Sequence, residues 1–235
     1  ALTKLISKYK RIQQIGVGIA GFVKEGKTIK TPHLDFSGVP IQNFLERKFK
    51  AKVCVDNDAR CAGLAEMKYG IGKGKKNVVV VTVGTGIGGA IFIDGKLYYG
   101  NGSAGEIGHM FLTDSEFEQL ASGTAFNEMV RDRYFGELEV NELYERALKG
   151  DTTAKGIYKD IGKNLGTGIL DLLYVLDPEM VIIGGGFSDV DVVIKEAARI
   201  IKEKDIFKKD VPIVRAFFGP DAGLIGAGNL FEKSK

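Results

Sequence analysis

Cysteine is scarce: the 235 residues hold two, Cys54 and Cys61. Their spacing matches no zinc or redox motif, one falls in a predicted strand and the other in a predicted helix, and both read as reduced thiols packed as small hydrophobes. That usage fits a reducing cytoplasm. Long apolar runs are also missing. The longest, Val78 to Val83, is far short of a bilayer span, and "ALTKLISKYK" at the start has no signal-peptide core. Charge of one sign does not accumulate. The net charge is +3, with Lys and Arg interleaved among Asp and Glu, so no basic block invites nucleic acid or an anionic membrane. There is no low-complexity segment.

What is present is an ordinary globular balance, 44% apolar and 27% charged, in a length that suits one or two domains. "RIQQIGVGIAGFV" reads as a strand running into a glycine turn, and "GKTIKT" as short extended chain. Val39 to Phe49 is amphipathic at helical spacing, with Pro40 in the first turn. "AKVCVDND" reads as a strand, followed by a helix that Gly70 ends. "GIGKGKKN" is the best candidate for a domain boundary. A second region opens with "VVVVTV", a glycine turn and "GAIFI", then the Asp94-Gly95 hairpin signal. From Phe117 the chain is mostly helical. Ile157, Ile161, Leu165, Ile169, Leu172 and Leu176 form an apolar stripe at steps of four and three. "EMVIIGGGF" reads as a buried strand entering a glycine turn. A helix capped by Ser188 or Asp189 follows, then a last strand and a closing helix with an unusually small face. Strands alternating with helices argue for α/β architecture.

Two stretches fit G-x-G-x-x-G, Gly16 to Gly21 and Gly84 to Gly89. The dinucleotide reading requires the turn to open a helix whose N-terminus faces a pyrophosphate. Gly89 leads instead into "AIFIDG", which is strand, so the turn is expected to close a β-hairpin. Gly84, Thr85, Gly86 and Gly88 then read as a phosphate cradle, because glycine lets backbone N–H groups approach an anion. Gly184, Gly185 and Gly186 admit two readings, a strand-to-helix turn or bare backbone against a nucleoside. Asn57 and Asp58 sit where a strand meets a helix. They read as a helix cap or as ligand-facing groups at the end of a strand. Glu106 and His109, in "GEIGH", lie between glycines that suit side chains facing a cleft, although a single His is often structural.

Together these stretches resemble the ROK family, within the actin–hexokinase–Hsp70 superfamily. "VGTGIGGAIFIDGKLYYGNGSAGEIGH" carries the family signature. "GVGIAGFV", "DNDARCAGLAE", "MVIIGGGFSD" and "FFGPDAGLIGAG" are also similar to the family, in the right order over nearly the whole chain. The resemblance implies an α/β, two-lobed actin-like ATPase (ribonuclease H-like) fold with an inter-lobe cleft. It places residues 1–73 plus 222–235 in a small lobe and 74–221 in a large one. It implies glucokinase-like, ATP-dependent phosphorylation of a hexose or N-acetylhexosamine hydroxyl. Asp58 matches the catalytic base. Asn57, Glu106, His109 and Glu118 match sugar-binding positions, and His33 stands where the family often has Asn. Gly84, Thr85, Gly86 and Gly88 match the phosphate loop, and Gly184 to Gly186 the adenosine side. Mg²⁺ would bridge the ATP oxygens. The expected partners are sugar, ATP and further copies of the chain, in the cytoplasm, without nucleic acid or membrane. The alternative within the same family is a sugar-sensing transcriptional regulator with a winged helix upstream.

Two departures from the family pattern carry expectations. The family's C-x-C-G-x-x-G-C cluster is replaced by "MFLTDSEFE", so no structural zinc is predicted, since such a site needs about four ligands. The family's D-x-G-G-T strand and hairpin do not occur in the sequence, which opens at Ala1 in mid-helix; either the chain is a truncated form or its native start lies upstream. The 235-residue chain is therefore expected to turn over ATP weakly or not at all. A coupled ADP-release assay beside a chain carrying that strand checks this, and equal turnover refutes it.

Overall fold

The computed structural model describes residues 2–9, 11–31 and 36–231. A short helix, α1 (Leu2–Ile6), precedes strand β1 (Gln14–Ile19) and a hairpin of β2 (Phe22–Lys24) and β3 (Lys27–Lys30). The turn between β2 and β3 is Glu25-Gly26, and both residues have positive φ, 53° and 71°. That pair of angles matches the twist of the flanking strands, so "GKTIKT" is half of a hairpin and not merely extended chain. Helix α2 (Ile41–Phe49) buries Ile41 and Leu45 and ends at Lys50, whose backbone is left-handed. Strand β4 (Lys52–Asn57) pairs parallel with β1, Ile15 opposite Val53 and Ile19 opposite Asn57. Helix α3 (Asp58–Tyr69) follows without a loop. Ile6, Ile15, Val17, Ile41, Leu45 and Val53 form one buried core here.

The second region begins with β5 (Val78–Val83), β6 (Ile87–Ile93) and β7 (Lys96–Leu97). A small hairpin of β8 (Phe111–Leu112) and β9 (Ser115–Glu116) leads into α4 (Phe117–Ala121), α5 (Gly123–Tyr134), α6 (Val140–Leu148) and α7 (Thr152–Leu176). Strand β10 (Met180–Gly184), α8 (Asp191–Lys204), β11 (Ile213–Arg215) and α9 (Ala222–Gly228) complete the described chain. The five-stranded sheet runs β11-β10-β5-β6-β7. Strand β10 lies parallel to both β11 and β5, whereas β5 and β6 are antiparallel.

The valine run in β5 is explained by burial on two faces. Val79, Val81 and Val83 join the core of the apolar stripe on α7. Val78 and Val80 face the other way, into a cluster with Ala90, Phe92 and Ile182 against which Leu64 and Met67 of α3 pack. The resulting architecture is the two-lobed α/β form of actin-like ATPases. No described helix is long and apolar enough to cross a membrane.

Helix α8 starts later than its polar residues predict. Gly186–Asp189 forms a 3₁₀ turn, and Val190 occupies the N-cap position without a side-chain cap. The turn buries Phe187 and Val190, each 7% exposed. Apolar burial sets this helix start in place of side-chain capping.

Helix α9 has its small face for a reason. It lies against both α3 and β1. A Cβ on Gly226 would run into the backbone carbonyl of Cys61, and one on Gly16 into that of Ala227. Cys61 itself is fully buried. Burial, with Asp56 and Asp58 adding to it, pushes its thiol up to about 12, which keeps it protonated and inert at neutral pH. Gly226→Ala forces α9 off α3 and is expected to lower stability by about 1–3 kcal/mol, the usual range for overpacking. Urea denaturation measures this, and an unchanged midpoint contradicts the close-approach account.

Candidate active site at the strand ends

Strand ends gather the polar residues. Asn57 closes β4 and caps α3: its Oδ1 accepts from the Arg60 N–H at 3.0 Å. Its Nδ2 donates to the Gly21 carbonyl at 3.1 Å. The cap reading of Asn57 therefore holds, and one amide hydrogen is left over for a ligand. Asp58, the first residue of α3, is exposed. Its Oδ1 accepts from the Ala59 N–H at 2.9 Å, which fixes the carboxylate over the helix start.

The glycine turn closes a hairpin: Val83 pairs with Ile87 across Gly84-Thr85-Gly86. The helix that a dinucleotide fingerprint needs is not there. Packing explains several of the glycines. The Glu118 carboxylate sits 2.6 Å from where a Cβ on Gly86 would be. Ala59 of α3 sits 2.7 Å from the corresponding point on Gly88, and the Gly105 carbonyl 2.8 Å from that on Gly89. Gly84 faces open space. Glu118 also accepts from the Ile87 N–H at 3.3 Å, so this carboxylate joins α4 to the hairpin.

Glu106 enters a 3₁₀ turn, Ile107–His109. Its carboxyl is half-buried, and burial raises its pKa against the opposing pull of Arg60 and His109; the charges of Asp58 and Glu118 raise it further. Glu106 thus feels Asp58, His109 and Glu118, residues drawn from three separate segments. His109 is half-exposed, with Nδ1 3.2 Å from Glu116 Oε2 and 3.9 Å from Glu118 Oε1. His33 lies outside the described residues.

Three residues not singled out in the sequence hold the loop before Glu106. Arg60 is 1% exposed. Its guanidinium donates to Asp56 Oδ1 at 3.3 Å and to the carbonyls of Gly102 at 2.6 Å and Ala104 at 2.9 Å. It lies over the Tyr99 ring, 5.2 Å from its centroid, and the Tyr99 hydroxyl donates to Asp56 Oδ2 at 2.7 Å. The signal in the sequence was the i,i+4 pair Asp56 and Arg60 within "DNDAR", with Arg60 set among small residues on a helix that must be buried.

The two glycine loops meet in one cavity of about 760 Å³, lined among others by Gly84, Thr85, Thr124, Asn127, Arg131 and Gly186. Helix α5 is stitched to the hairpin: the Gly123 N–H donates to the Gly84 carbonyl at 2.7 Å, and the Thr124 hydroxyl to that of Thr85 at 2.8 Å. Ser122 caps the helix. Thr124, Asn127 and Arg131 repeat at steps of three and four, the polar face that could have drawn attention to them. Asp58 lines a separate cavity of about 300 Å³ with Thr82, Gly184, Gly185 and Gly219. Gly184 pairs with Thr82 in the sheet. Gly185 has φ 85° and leaves no room for a side chain against Val83, while Gly186 is open. The consecutive residues Gly185 and Gly186 therefore line the two cavities in turn.

The segment Met110 to Glu118 forms the β8–β9 hairpin and the start of α4. The only donors it sets beside His109 among the described residues are the Glu116 and Glu118 carboxylates. No thiolate is among them, so the set does not fit the family's cysteine zinc cluster.

With this geometry in hand, likeness to known proteins becomes informative. The chain matches the ROK family over residues 1–234. It belongs to that family. It is 31% identical to a glucokinase of Streptomyces coelicolor, covering 93% of this chain and 80% of that one. It is 37% identical over 183 residues to an uncharacterised protein of Clostridium perfringens, covering 74% of this chain and 62% of that one. Among solved structures, a ROK glucokinase from Streptomyces griseus in complex with glucose and AMPPNP superposes with a TM-score of 0.84 at 28% identity, covering 95% of this chain and 83% of that one.

The shift at Glu106 has a consequence for stability. A carboxyl whose folded pKa is raised stabilises the fold only while protonated, and that contribution is lost as pH rises through the folded value. Glu106→Gln is therefore expected to raise the urea midpoint at pH about 7.5 and to leave it unchanged below about pH 4, under the ordinary Glu value. A lower midpoint for the variant at neutral pH contradicts the assignment.

Proposed function

We propose that this protein is an ATP-dependent sugar kinase acting on a hydroxyl of a hexose or N-acetylhexosamine, with glucose the first candidate. The observation that carries this reading is convergence. The charges of Asp58, His109 and Glu118, from three segments, all bear on Glu106, and two glycine loops share a cavity. The names and ligands of the glucokinase relatives support the same choice. The reading divides the chain into a small lobe, residues 1–73 with 222–235, and a large lobe, 74–221, with the sugar between them.

In this reading Asn57, Glu106, His109 and Glu118 hold the sugar hydroxyls, and a wrong hydroxyl pattern leaves these half-buried groups unpaired. His33 is assigned to the same sugar. Gly84, Thr85, Gly86 and Gly88 face the phosphates, and Gly184 to Gly186 the adenosine. Mg²⁺ bound with ATP would supply charge neutralisation at the phosphate oxygens. Asp58 accepts the proton of the attacking hydroxyl as that oxygen bonds to the γ-phosphorus and the bond to the ADP oxygen breaks. A carboxylate held over a helix start suits this role. Closure of the lobes would limit ATP hydrolysis by excluding water.

Asp58→Asn, made in a chain that carries the D-x-G-G-T strand, is expected to lower kcat by about 10²–10⁴-fold while glucose affinity stays within about threefold. Coupled ADP release and calorimetric titration measure the two. Retention of most of kcat removes Asp58 from the role of base.

A further inference from the structure

His109 is paired with a carboxylate. Glu116 Oε2 lies 3.2 Å from its Nδ1. Glu116 is itself held firmly. It closes β9, opposite Phe111, and stands at the N-cap of α4. Its own N–H donates to Gln119 Oε1 at 3.1 Å, as in a capping box. The backbone of Glu116 is therefore held by both β9 and the first turn of α4 where its side chain meets the imidazole.

We propose that Glu116 is a positioning residue for His109, fixing its tautomer through one hydrogen bond. A carboxylate has only acceptors to offer, so it binds the nitrogen that carries a proton. It therefore holds neutral His109 as the Nδ1–H tautomer and leaves Nε2 bare. A free imidazole favours the other tautomer, and the hydrogen bond to an ionised acceptor outweighs that preference. Bare Nε2 is an acceptor, which selects a ligand hydroxyl that donates at that point. Glu118, 3.9 Å from the same nitrogen, stays bound to the Ile87 N–H and does not replace Glu116.

The inference rests on the reading of His109 as a sugar contact, and the test separates the two. The chain has two histidines, so ¹⁵N-histidine labelling of the full chain gives two imidazole spin systems, and His109→Ala assigns them. At about pH 9, well above the ordinary imidazole value, His109 is expected to show protonated Nδ1 in the native chain and in Glu116→Gln, whose amide oxygen still accepts. Glu116→Ala is expected to shift it to the Nε2–H form. In parallel, calorimetric titration with glucose is expected to give about tenfold weaker binding for Glu116→Ala and near-native binding for Glu116→Gln, a size typical for partners that orient a site histidine. Nε2–H in the native chain, an unchanged tautomer in Glu116→Ala, or stoichiometric zinc in the purified protein overturns the inference. A tautomer switch with native glucose affinity in both Glu116→Ala and His109→Ala confirms the pairing and removes His109 from the sugar site.

Discussion

The site depends on one buried cation. Arg60 lies on the first turn of α3 beside Asp58, almost wholly out of water. A charge so placed must be paired and hydrogen-bonded, and removing one partner leaves the other exposed to a large desolvation cost. Its partners are divided between two parts of the chain. Asp56 belongs to β4, whereas the carbonyls of Gly102 and Ala104 and the ring of Tyr99 belong to the loop that delivers Glu106. That loop has no regular structure, and Gly100, Gly102 and Gly105 all have positive φ. The guanidinium supplies the order that a helix or strand would otherwise give. Asn57 and Asp58 on one side and Glu106 and His109 on the other are held in register through it.

The glycines have more than one purpose. A phosphate cradle calls for open space at the glycines that form it. Gly84 and Gly186 do face open space. At Gly86, Gly88 and Gly89 the missing Cβ makes room for protein: the carboxylate of Glu118, the methyl of Ala59 and the carbonyl of Gly105. The hairpin is therefore clamped from three directions. A rigid loop of this kind suits backbone donors that must already point at a ligand before it binds.

Much of the fold could be read from local pattern. The hairpin followed from what comes after Gly89, the long helix from its stripe, and the cap of α3 from Asn57 at a strand-to-helix junction. These features repeat within a few residues, so a single sequence reports them. What escaped was set by distant partners. The start of α8 was decided by burial of Phe187 and Val190 against a core assembled from other elements. The cavity lining on α5 emerges only once Gly123 and Thr124 bond to the hairpin some forty residues earlier. Arg60 gave a faint i,i+4 signal, but nothing local showed that its guanidinium reaches the carbonyls of residues 102 and 104.

The contact between Ala59 and Gly88 sets a limit on how such a chain can change over time. One lies beside the carboxylate assigned to chemistry, and the other on the strand leaving the glycine turn. Their surfaces meet with no space to spare. A larger residue at either position drives the helix and the hairpin apart. Gly88 has nothing to give up and Ala59 only one methyl; even without that methyl, a Cβ on Gly88 would stand 2.8 Å from Thr82 Oγ1. The two positions are locked together at the small end of the scale. Change around this contact has to be accommodated elsewhere, in side chains that do not set the spacing between α3 and the hairpin.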